Sequence, residues 1–470
     1  MSECLRSVGL DVGTTSTQMI LSELTIENRA SGFSVPEMEI GDRKILYKSP
    51  VYFTPLRDES HIDGEKIREI ITKEYEKAGI DRSSVDTGAI IITGETSRKE
   101  NARAVLDALS DFAGDFVVAT AGPDLESVLA AKGAGAVDHS AATGKTVLHM
   151  DIGGGTSNLC MIRDGKILET GCLNIGGRLL KFDENGLVTY VSPVLSGICG
   201  LSIGEKADIR QVEEIARTLV QALEMAAGLR EPSPLLDKLT TVEGSTSQRM
   251  SGTASIARQL AIAHPPLQGT CPTGEGLLIS FSGGVADCIE GEVPWLEYGD
   301  IGPVLGRAIR ESCLCAGEYR LGSETIRATV IGAGCHSAQL SGSTVYHQNI
   351  AFPLKNLPVV RLSDISALPR ELEKQEGPVV IAMEGPPEPS YRQVADLAQQ
   401  LLAQLRIPIL LCLEQDMAKA LGQALALRLP EDAPLLCIDR IRVTEGSYLD
   451  IAAPLSHALP VVVKTLVLGN

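Results

Sequence analysis

A strand that ends in an aspartate and turns through small residues occurs twice in this chain, about 140 residues apart. Residues 8–17 read VGLDVGTTST, and residues 148–158 read LHMDIGGGTSN. Each copy predicts a β-hairpin with a carboxylate at the end of its first strand and a glycine in its turn. One copy alone is explained equally well as an ordinary tight turn. Two copies with the same order of Asp, Gly and Thr predict two hairpins that face each other at one site.

The residue types of these turns indicate a polyphosphate–metal site. Glycine has no Cβ, so backbone N–H groups can approach phosphate oxygens, and threonine hydroxyls add further donors. Asp11 and Asp151 cannot face a bare phosphate because like charges repel. Mg²⁺ between them resolves the conflict, since it keeps several waters and takes few protein ligands. The candidate phosphate-binding residues are Gly13, Thr14, Thr15, Gly153, Gly154, Gly155 and Thr156.

The chain is rich in glycine: 46 of its 470 residues, about a tenth, are glycine, where about 7% is usual. Two further segments contain some of these glycines. In residues 279–286, ISFSGGVA, a strand runs into a glycine pair against which a base or ribose could lie. An ordinary strand–helix turn is the alternative interpretation. In residues 328–334, ATVIGAG, we expect a strand over 329–331, and close helix–strand packing is the alternative role for its glycines. The candidate residues here are Ser282, Gly283, Gly284, Gly332 and Gly334.

Charge and motif spacing exclude several other classes of protein. The chain has 60 acidic and 42 basic residues, a net charge of −18, which argues against a nucleic-acid partner. The G-K-T at residues 144–146 lacks the earlier glycine of a P-loop, because that position is His139. No pair of histidines has zinc-ligand spacing. The start is unlike a signal peptide and no apolar run approaches the roughly 20 residues of a membrane span, so we expect a protein without a membrane partner.

The ordered set of motifs resembles the actin–hexokinase–Hsp70 ATPase superfamily over roughly residues 5–340. The resemblance implies an α/β, two-lobed, actin-like (ribonuclease H-like) ATPase fold. We expect a first lobe at 1–140 and a second, with the nucleotide-binding loops, at 141–341. Past these, prolines recur and strands then alternate with helices, which predicts a C-terminal α/β region of unknown role at 342–470.

Within that superfamily, the chain resembles the reactivating factors of ethanolamine ammonia-lyase. The match lies in SVGLDVGTTSTQMI, IITGETSRKENA and VLHMDIGGGTSNLCMIRDGKI. It implies an ATP-dependent chaperone that exchanges damaged cobalamin for intact cofactor during ethanolamine catabolism. The implied cofactors are ATP and Mg²⁺, with adenosylcobalamin only through the partner, because no D-x-H-x-x-G cobalamin signature is present. The implied partner is ethanolamine ammonia-lyase, through either subunit, and a homodimer is left open. The implied location is the cytoplasm, in a pathway often housed in a bacterial microcompartment.

The same resemblance implies roles for individual residues. Asp11 and Asp151 would hold hydrated Mg²⁺ and orient the attacking water. A third catalytic acid is expected in the first connecting helix, where Asp124 and Glu126 both occur and Glu126 is our candidate. The favoured alternative is that both acids are helix-start residues stabilised by the helix dipole. Glu95 lies near the expected cleft, with an exposed turn acid as the alternative, and Asn158 replaces an aspartate that many relatives carry.

Two other functions are compatible with the same loops. A small-molecule kinase of the superfamily would need a general-base aspartate for the acceptor hydroxyl, and the sequence offers no distinct candidate. An actin-like filament is disfavoured by the proline-rich stretch that opens the C-terminal region. The reactivating ATPase is therefore the preferred hypothesis, and the kinase is the alternative.

Overall fold

The structure is a computed structural model of the 470-residue chain. The residues it describes are 3–13, 16–28, 38–58, 61–93, 101, 105, 109, 117–120, 123–241, 252–263, 277–336, 338–340, 345–362, 364–373, 377–386, 388–443, 447–454 and 459–465. Three residues of the sequence hypotheses, Thr14, Thr15 and Glu95, lie outside these ranges.

The first sheet combines one antiparallel meander with two parallel strands. Its elements are β1 (Glu3–Val12), β2 (Ser16–Asn28), β3 (Met38–Lys48), β4 (Tyr52–Phe53), α1 (Gly64–Ala78), β5 (Thr87–Ile92) and β6 (Val117–Thr120). The strand order is β3-β2-β1-β5-β6, with β4 paired to β2. Strands β1, β2 and β3 are antiparallel, whereas β5 and β6 run parallel to β1.

The second sheet repeats this topology. Its elements are α2 (Pro123–Gly133), α3 (Ala136–Thr143), β7 (Thr146–Ile152), β8 (Ser157–Arg163), β9 (Lys166–Leu173), β10 (Leu180–Phe182), β11 (Val188–Val191), α4 (Ile209–Ala226), α5 (Pro234–Leu239), α6 (Gly252–Ala263), β12 (Leu277–Ser282), α7 (Gly302–Arg310), β13 (Tyr319–Leu321) and α8 (Ala328–His336). The order is β9-β8-β7-β12-β13, again with three antiparallel and two parallel strands, while β10 and β11 pair separately. The duplicated order confirms the two-lobed fold that the repeated motif predicted.

Two helices are exchanged between these sheets. Helix α2 follows the first sheet along the chain but packs on the second, where Ala131 clusters with Val147. Helix α8 follows the second sheet but packs on the first, where Val330 clusters with Leu5. The strand expected at 329–331 is therefore wrong. These residues are helical, and the β-branched Thr329, Val330 and Ile331 are buried because the helix is packed on several sides.

The C-terminal α/β alternation is confirmed. Its elements are β14 (Ala338–Leu340), β15 (Tyr346–Gln348), β16 (Leu354–Leu362), α9 (Leu368–Glu373), β17 (Val380–Met383), α10 (Tyr391–Leu402), β18 (Ile409–Leu413), α11 (Ala418–Ala426), β19 (Leu435–Asp439), β20 (Ser447–Ile451) and β21 (Pro460–Thr465). They form one eight-stranded sheet in the order β14-β21-β20-β16-β17-β18-β19-β15. Strands β16 to β19 are consecutive and parallel. Right-handed crossovers therefore place their connecting helices on one face, and the apolar sides of α10 and α11 are buried there.

Local signals explain where several elements begin and end. Helix α1 starts at Asp63, whose carboxylate accepts from the Lys66 backbone N–H, and stops at Gly79 in the left-handed conformation. A turn is present at Asp164 and Gly165, and both residues have positive φ, as a two-residue hairpin turn requires. Across the described ranges, no helix is long and apolar enough to cross a membrane.

Candidate functional site

The two predicted hairpins meet at one cavity of about 460 Å³. Asp11 and Asp151 both line it, one from the end of β1 and the other from the end of β7. Other predicted residues that line it are Gly13, Glu126, Gly153, Gly154, Gly155, Thr156, Gly283 and Gly284.

The two hairpin turns are built in the same way. In the first, the Gly13 N–H donates to the Ser16 carbonyl over 2.8 Å. In the second, the Gly153 N–H donates to the Thr156 carbonyl over 2.9 Å. The sequence repeat is therefore a structural repeat down to the turn hydrogen bond.

The two turn carboxylates, Asp11 and Asp151, are buried and held by hydroxyl groups. Asp11 is 7% exposed, and its Oδ1 accepts from Thr93 Oγ1 over 2.9 Å. Asp151 is 5% exposed; its Oδ1 accepts from Ser282 Oγ over 2.5 Å and its Oδ2 from Thr329 Oγ1 over 3.4 Å. These hydroxyls come from β12, α8 and the end of β5, so three elements fix the two side chains.

Burial raises the pKa values of both carboxylates. The pKa of Asp11 is raised to about 7, chiefly by desolvation, while the Thr93 hydrogen bond lowers it and the nearby charge of Asp151 adds to the rise. Desolvation also raises the pKa of Asp151 to about 6, against the lowering effect of its two hydroxyl donors. Two interacting buried carboxylates of this kind gain most from a cation between them.

Two amide oxygens lie near these carboxylates, and one of them can support a cation. Gln18 is the cross-strand partner of Asp11, and Asn158 is the cross-strand partner of Asp151. Both side chains are 2% exposed, and within the described part of the chain Gln18 Oε1 and Asn158 Oδ1 are buried with no hydrogen-bond partner. Gln18 also lines the cavity, so its oxygen can accept from the water shell of Mg²⁺, which prefers oxygen ligands, whereas Asn158 does not line the cavity. The residues present therefore fit a hydrated Mg²⁺.

A glycine pair that the sequence analysis missed supports the second turn. Gly177 N–H donates to the Gly153 carbonyl over 3.0 Å, and Arg178 N–H donates to the Gly154 carbonyl over 2.7 Å. A Cβ on Gly176 would lie 2.4 Å from Gly154 backbone atoms, so only glycine permits this approach. The path of the second turn is consequently fixed by the segment at 176–178, of which Gly177 and Arg178 line the cavity themselves.

The glycine pair predicted to contact a base or ribose, Gly283 and Gly284, lies directly against the second turn. Gly283 has φ of +86°, and a Cβ there would lie 2.3 Å from the Ile152 carbonyl oxygen. The Val285 N–H donates to that same carbonyl over 3.2 Å. Gly283 and Gly284 line the cavity, whereas Ser282 lies beneath it as the donor to Asp151.

Arg178 is the only basic side chain among the described residues that line the cavity. Its Nε lies 3.4 Å from Asp300 Oδ2, and its guanidinium lies 5.4 Å from the ring centroid of Phe53. Desolvation raises the pKa of Asp300 to about 6, and the Gly302 N–H and Arg178 oppose that rise. Phe53 belongs to β4 of the first sheet, so this contact joins the two halves at the cavity.

The remaining predicted residues divide into two groups. In α2, Glu126 lines the cavity, whereas the exposed Asp124 accepts from Thr170 Oγ1 and does not line it. Gly332 and Gly334 do not line the cavity either. A Cβ on Gly332 would lie 2.0 Å from the Leu129 carbonyl, and one on Gly334 would lie 2.9 Å from Ile20 Cδ1, so both glycines serve close packing of α8.

Several residues at the cavity or beneath it had a signal that the sequence analysis did not use. Thr93 is followed by a glycine after β5, just as Ser282 is followed by one after β12. Gln18 and Asn158 occupy equivalent places in the repeated motif. Arg178 follows a glycine pair, but nothing in its local sequence indicates Phe53 or Asp300 as neighbours.

The duplicated sheets and the facing aspartate turns define a protein of the two-lobed actin-like ATPase fold. Residues 3–469 match the family described as ethanolamine utilisation protein EutA, and the chain belongs to that family.

Two relatives are both named ethanolamine ammonia-lyase reactivase EutA, one from Salmonella typhimurium (strain LT2) and one from Escherichia coli (strain K12). Each is 37% identical over 481 residues, which covers 98% of this chain and 98% of the relative. Among solved structures, ethanolamine utilization protein EutJ from Carboxydothermus hydrogenoformans is 16% identical and covers 70% of this chain and 89% of its own. Its TM-score of 0.32 is too low to support an argument.

Proposed function

We propose that this protein is an ATP-dependent reactivating chaperone of ethanolamine ammonia-lyase, which drives exchange of damaged cobalamin for intact cofactor during ethanolamine catabolism. The observation that carries the ATP-using part is the pair of buried aspartates, Asp11 and Asp151, on matching turns at one cavity. The lyase partner is supported by the printed name of the two relatives.

We assign the nucleotide to the cleft between lobes 1–140 and 141–341, with 342–470 as a further α/β region. In this proposal, Asp11 and Asp151 accept hydrogen bonds from the water shell of Mg²⁺, with Gln18 as an additional acceptor. When bound, Mg²⁺ supplies positive charge that offsets the phosphate oxygens. The backbone N–H groups of Gly154 and Gly155 would face the phosphates, since that of Gly153 closes the turn onto the Thr156 carbonyl, and Gly283 and Gly284 would lie along the base and ribose.

Hydrolysis needs an oriented water and little further covalent chemistry from the protein. Thr93 and Ser282 hold the two carboxylates in place, so that they can orient a water through hydrogen bonds. Glu126 lines the same cavity and is our candidate for a third acceptor of that water. Arg178 lies where it could reach a terminal phosphate by giving up Asp300.

Cobalamin exchange would follow from motion between the lobes. Nucleotide contacts on both hairpins favour a closed cleft, and loss of the terminal phosphate releases it, which is a hinge-type closure. Adenosylcobalamin binds to the lyase and not to this chain. This chain changes the lyase conformation that retains the damaged cobalamin. The cytoplasm, or a microcompartment within it, is the proposed location, and a homodimer is one proposed assembly.

The decisive experiment uses purified lyase that has been inactivated with a non-functional cobalamin. We expect release of the bound cobalamin, followed optically, only when this chain, ATP and Mg²⁺ are all present. Three control reactions replace ATP by ADP, omit Mg²⁺, or replace the wild-type chain by the Asp11→Asn variant. Equal release without ATP would contradict the proposed cycle. ADP formation that requires a small-molecule acceptor and does not depend on the lyase would favour the kinase alternative.

A further inference from the structure

A column of polar side chains lies beneath Asp151, on the face of the second sheet that α2 and α3 cover. Strands β7 and β12 are parallel neighbours, and their register pairs His149 with Ser280 and Asp151 with Ser282. Alternate residues of a strand share a face, so these four side chains form two rungs of one ladder. All four are buried, and His149, Ser280 and Ser282 are 0% exposed.

The contacts along this column are continuous. His149 Nδ1 lies 3.1 Å from Ser280 Oγ, and His149 Nε2 lies 2.9 Å from Ser282 Oγ. Ser282 Oγ in turn lies 2.5 Å from Asp151 Oδ1. Each distance is within hydrogen-bonding range.

The chemistry of the groups fixes the direction of every hydrogen bond. An ionised carboxylate only accepts, so the single hydrogen of the Ser282 hydroxyl points to Asp151. Ser282 Oγ must then accept from His149, which places the ring proton on Nε2. A charged ring would be costly at full burial, because its two nitrogens contact hydroxyls and no carboxylate. The neutral ring therefore accepts at Nδ1 from Ser280.

We propose that His149 is a positioning residue that acts on Asp151 through Ser282. By donating from Nε2, the ring prevents the Ser282 hydroxyl from turning away and keeps its hydrogen directed at the carboxylate. Asp151 is thereby held in one orientation, with its second oxygen left to Thr329 and the cavity. The proposal deepens and rests on the proposed Mg²⁺–ATP site, since the purpose of the column is to prepare Asp151 for that ligand.

The tautomer of His149 is tested without any ligand. In protein labelled with ¹⁵N at histidine, the ring resonances that disappear in His149→Gln belong to His149. We expect a neutral ring with its proton on Nε2. A proton on Nδ1, or a charged ring at neutral pH, would overturn the proposal whether or not the chain binds ATP.

The functional consequence is tested by Mg²⁺–ATP affinity. We expect His149→Leu to weaken it about tenfold or more, as is usual when an outer hydrogen-bond partner of a metal site is removed. His149→Gln retains a donor and an acceptor and should restore most of the affinity. Cys160→Ala changes the cross-strand neighbour of His149 without touching the column, and it should leave the affinity unchanged.

A double-mutant cycle separates positioning through Ser282 from a general loss of packing. If His149 acts through Ser282, then His149→Leu adds little to the loss already caused by Ser282→Ala. Additive losses, or full affinity in His149→Leu, would refute the positioning role. Absence of Mg²⁺–ATP binding by the wild-type chain would instead refute the proposed function, and the ¹⁵N measurement would still decide the hydrogen-bond direction.

Discussion

At the residue scale, the raised pKa values of Asp11 and Asp151 predict a pH-dependent affinity for Mg²⁺–ATP. Burial raises these pKa values to about 7 and about 6. Protons therefore compete with the cation, and the affinity should fall as the pH is lowered from 8 through 7 and 6. Calorimetric titrations at a series of pH values would measure this affinity. The dissociation constant is calculated from the concentration of fully ionised Mg²⁺–ATP, so that protonation of ATP itself does not contribute. A constant affinity across that range would contradict the burial of the two carboxylates.

The same burial predicts opposite effects of Asp11→Asn on activity and stability. The folded-state pKa of Asp11 is about 7 against a usual value of 3.8, so the folded state binds this proton more tightly than the unfolded state. Metal-free stability therefore decreases as the pH rises from about 4 to about 7. Asparagine keeps an acceptor for Thr93 and removes the buried charge.

We expect Asp11→Asn to abolish ATP hydrolysis and to raise the midpoint of thermal unfolding by a few degrees at pH 8 without Mg²⁺. Differential scanning calorimetry and an ADP-release assay are the measurements. Asp237→Asn, at an exposed position of α5, is the control and should change neither. A strongly destabilised Asp11→Asn would show that the carboxylate is structurally required.

The sequence was sufficient to predict that Asp11 and Asp151 lie at the ends of matching strands and at one cavity, because their motif is local and repeated. It could not predict Arg178 as a neighbour of the site, and the glycine after Thr93 does not indicate which carboxylate Thr93 contacts, because both contacts are made with residues far away in the chain. Thr93 reaches Asp11 across 82 positions, and Arg178 reaches Phe53 of another sheet. Such contacts depend on the topology rather than on local pattern.

At the element scale, the packing of α8 predicts an unusual sign for a glycine substitution. Gly→Ala inside a helix normally stabilises it by up to about 1 kcal/mol. At Gly332 the new Cβ would lie 2.0 Å from the Leu129 carbonyl oxygen of α2, so the two helices must separate. We expect Gly332→Ala to lower the free energy of unfolding by about 1–3 kcal/mol.

Denaturant unfolding would measure this change. Gly200→Ala is the control, because a Cβ there meets nothing within 4 Å, and it should leave stability nearly unchanged. A neutral or stabilising Gly332→Ala would show that the α2–α8 contact yields easily.

Local pattern predicted the two aspartate-ended hairpins and the alternation of strands and helices in the C-terminal region. The exception is instructive. Residues 329–331 are β-branched or apolar and favour a strand in isolation, yet they begin the buried helix α8. Tertiary packing overrides local preference there, because the following glycines let the helix approach two neighbours at once.

At the scale of the whole molecule, the Phe53–Arg178 contact joins the two lobes at the cavity. An exposed cation–π contact contributes about 0.5–1 kcal/mol. We expect Phe53→Ala to accelerate release of a fluorescent ATP analogue about twofold to fivefold, because the cleft opens more readily. Tyr391→Ala removes another exposed aromatic, on α10 in the C-terminal region, and should have no effect. Unchanged release in Phe53→Ala would show that the contact does not restrain the cleft.

The exchange of α2 and α8 between the sheets has a consequence for synthesis. Chains generally begin to fold from the amino terminus as they leave the ribosome, at about 5–20 residues per second. The first sheet is complete in sequence by Thr120, but its covering helix α8 ends only at His336. Val462, which packs in the same cluster, is made later still. One apolar face of the first sheet therefore remains exposed to water for tens of seconds during synthesis. We expect this chain to depend on the cell's chaperones while it is being made.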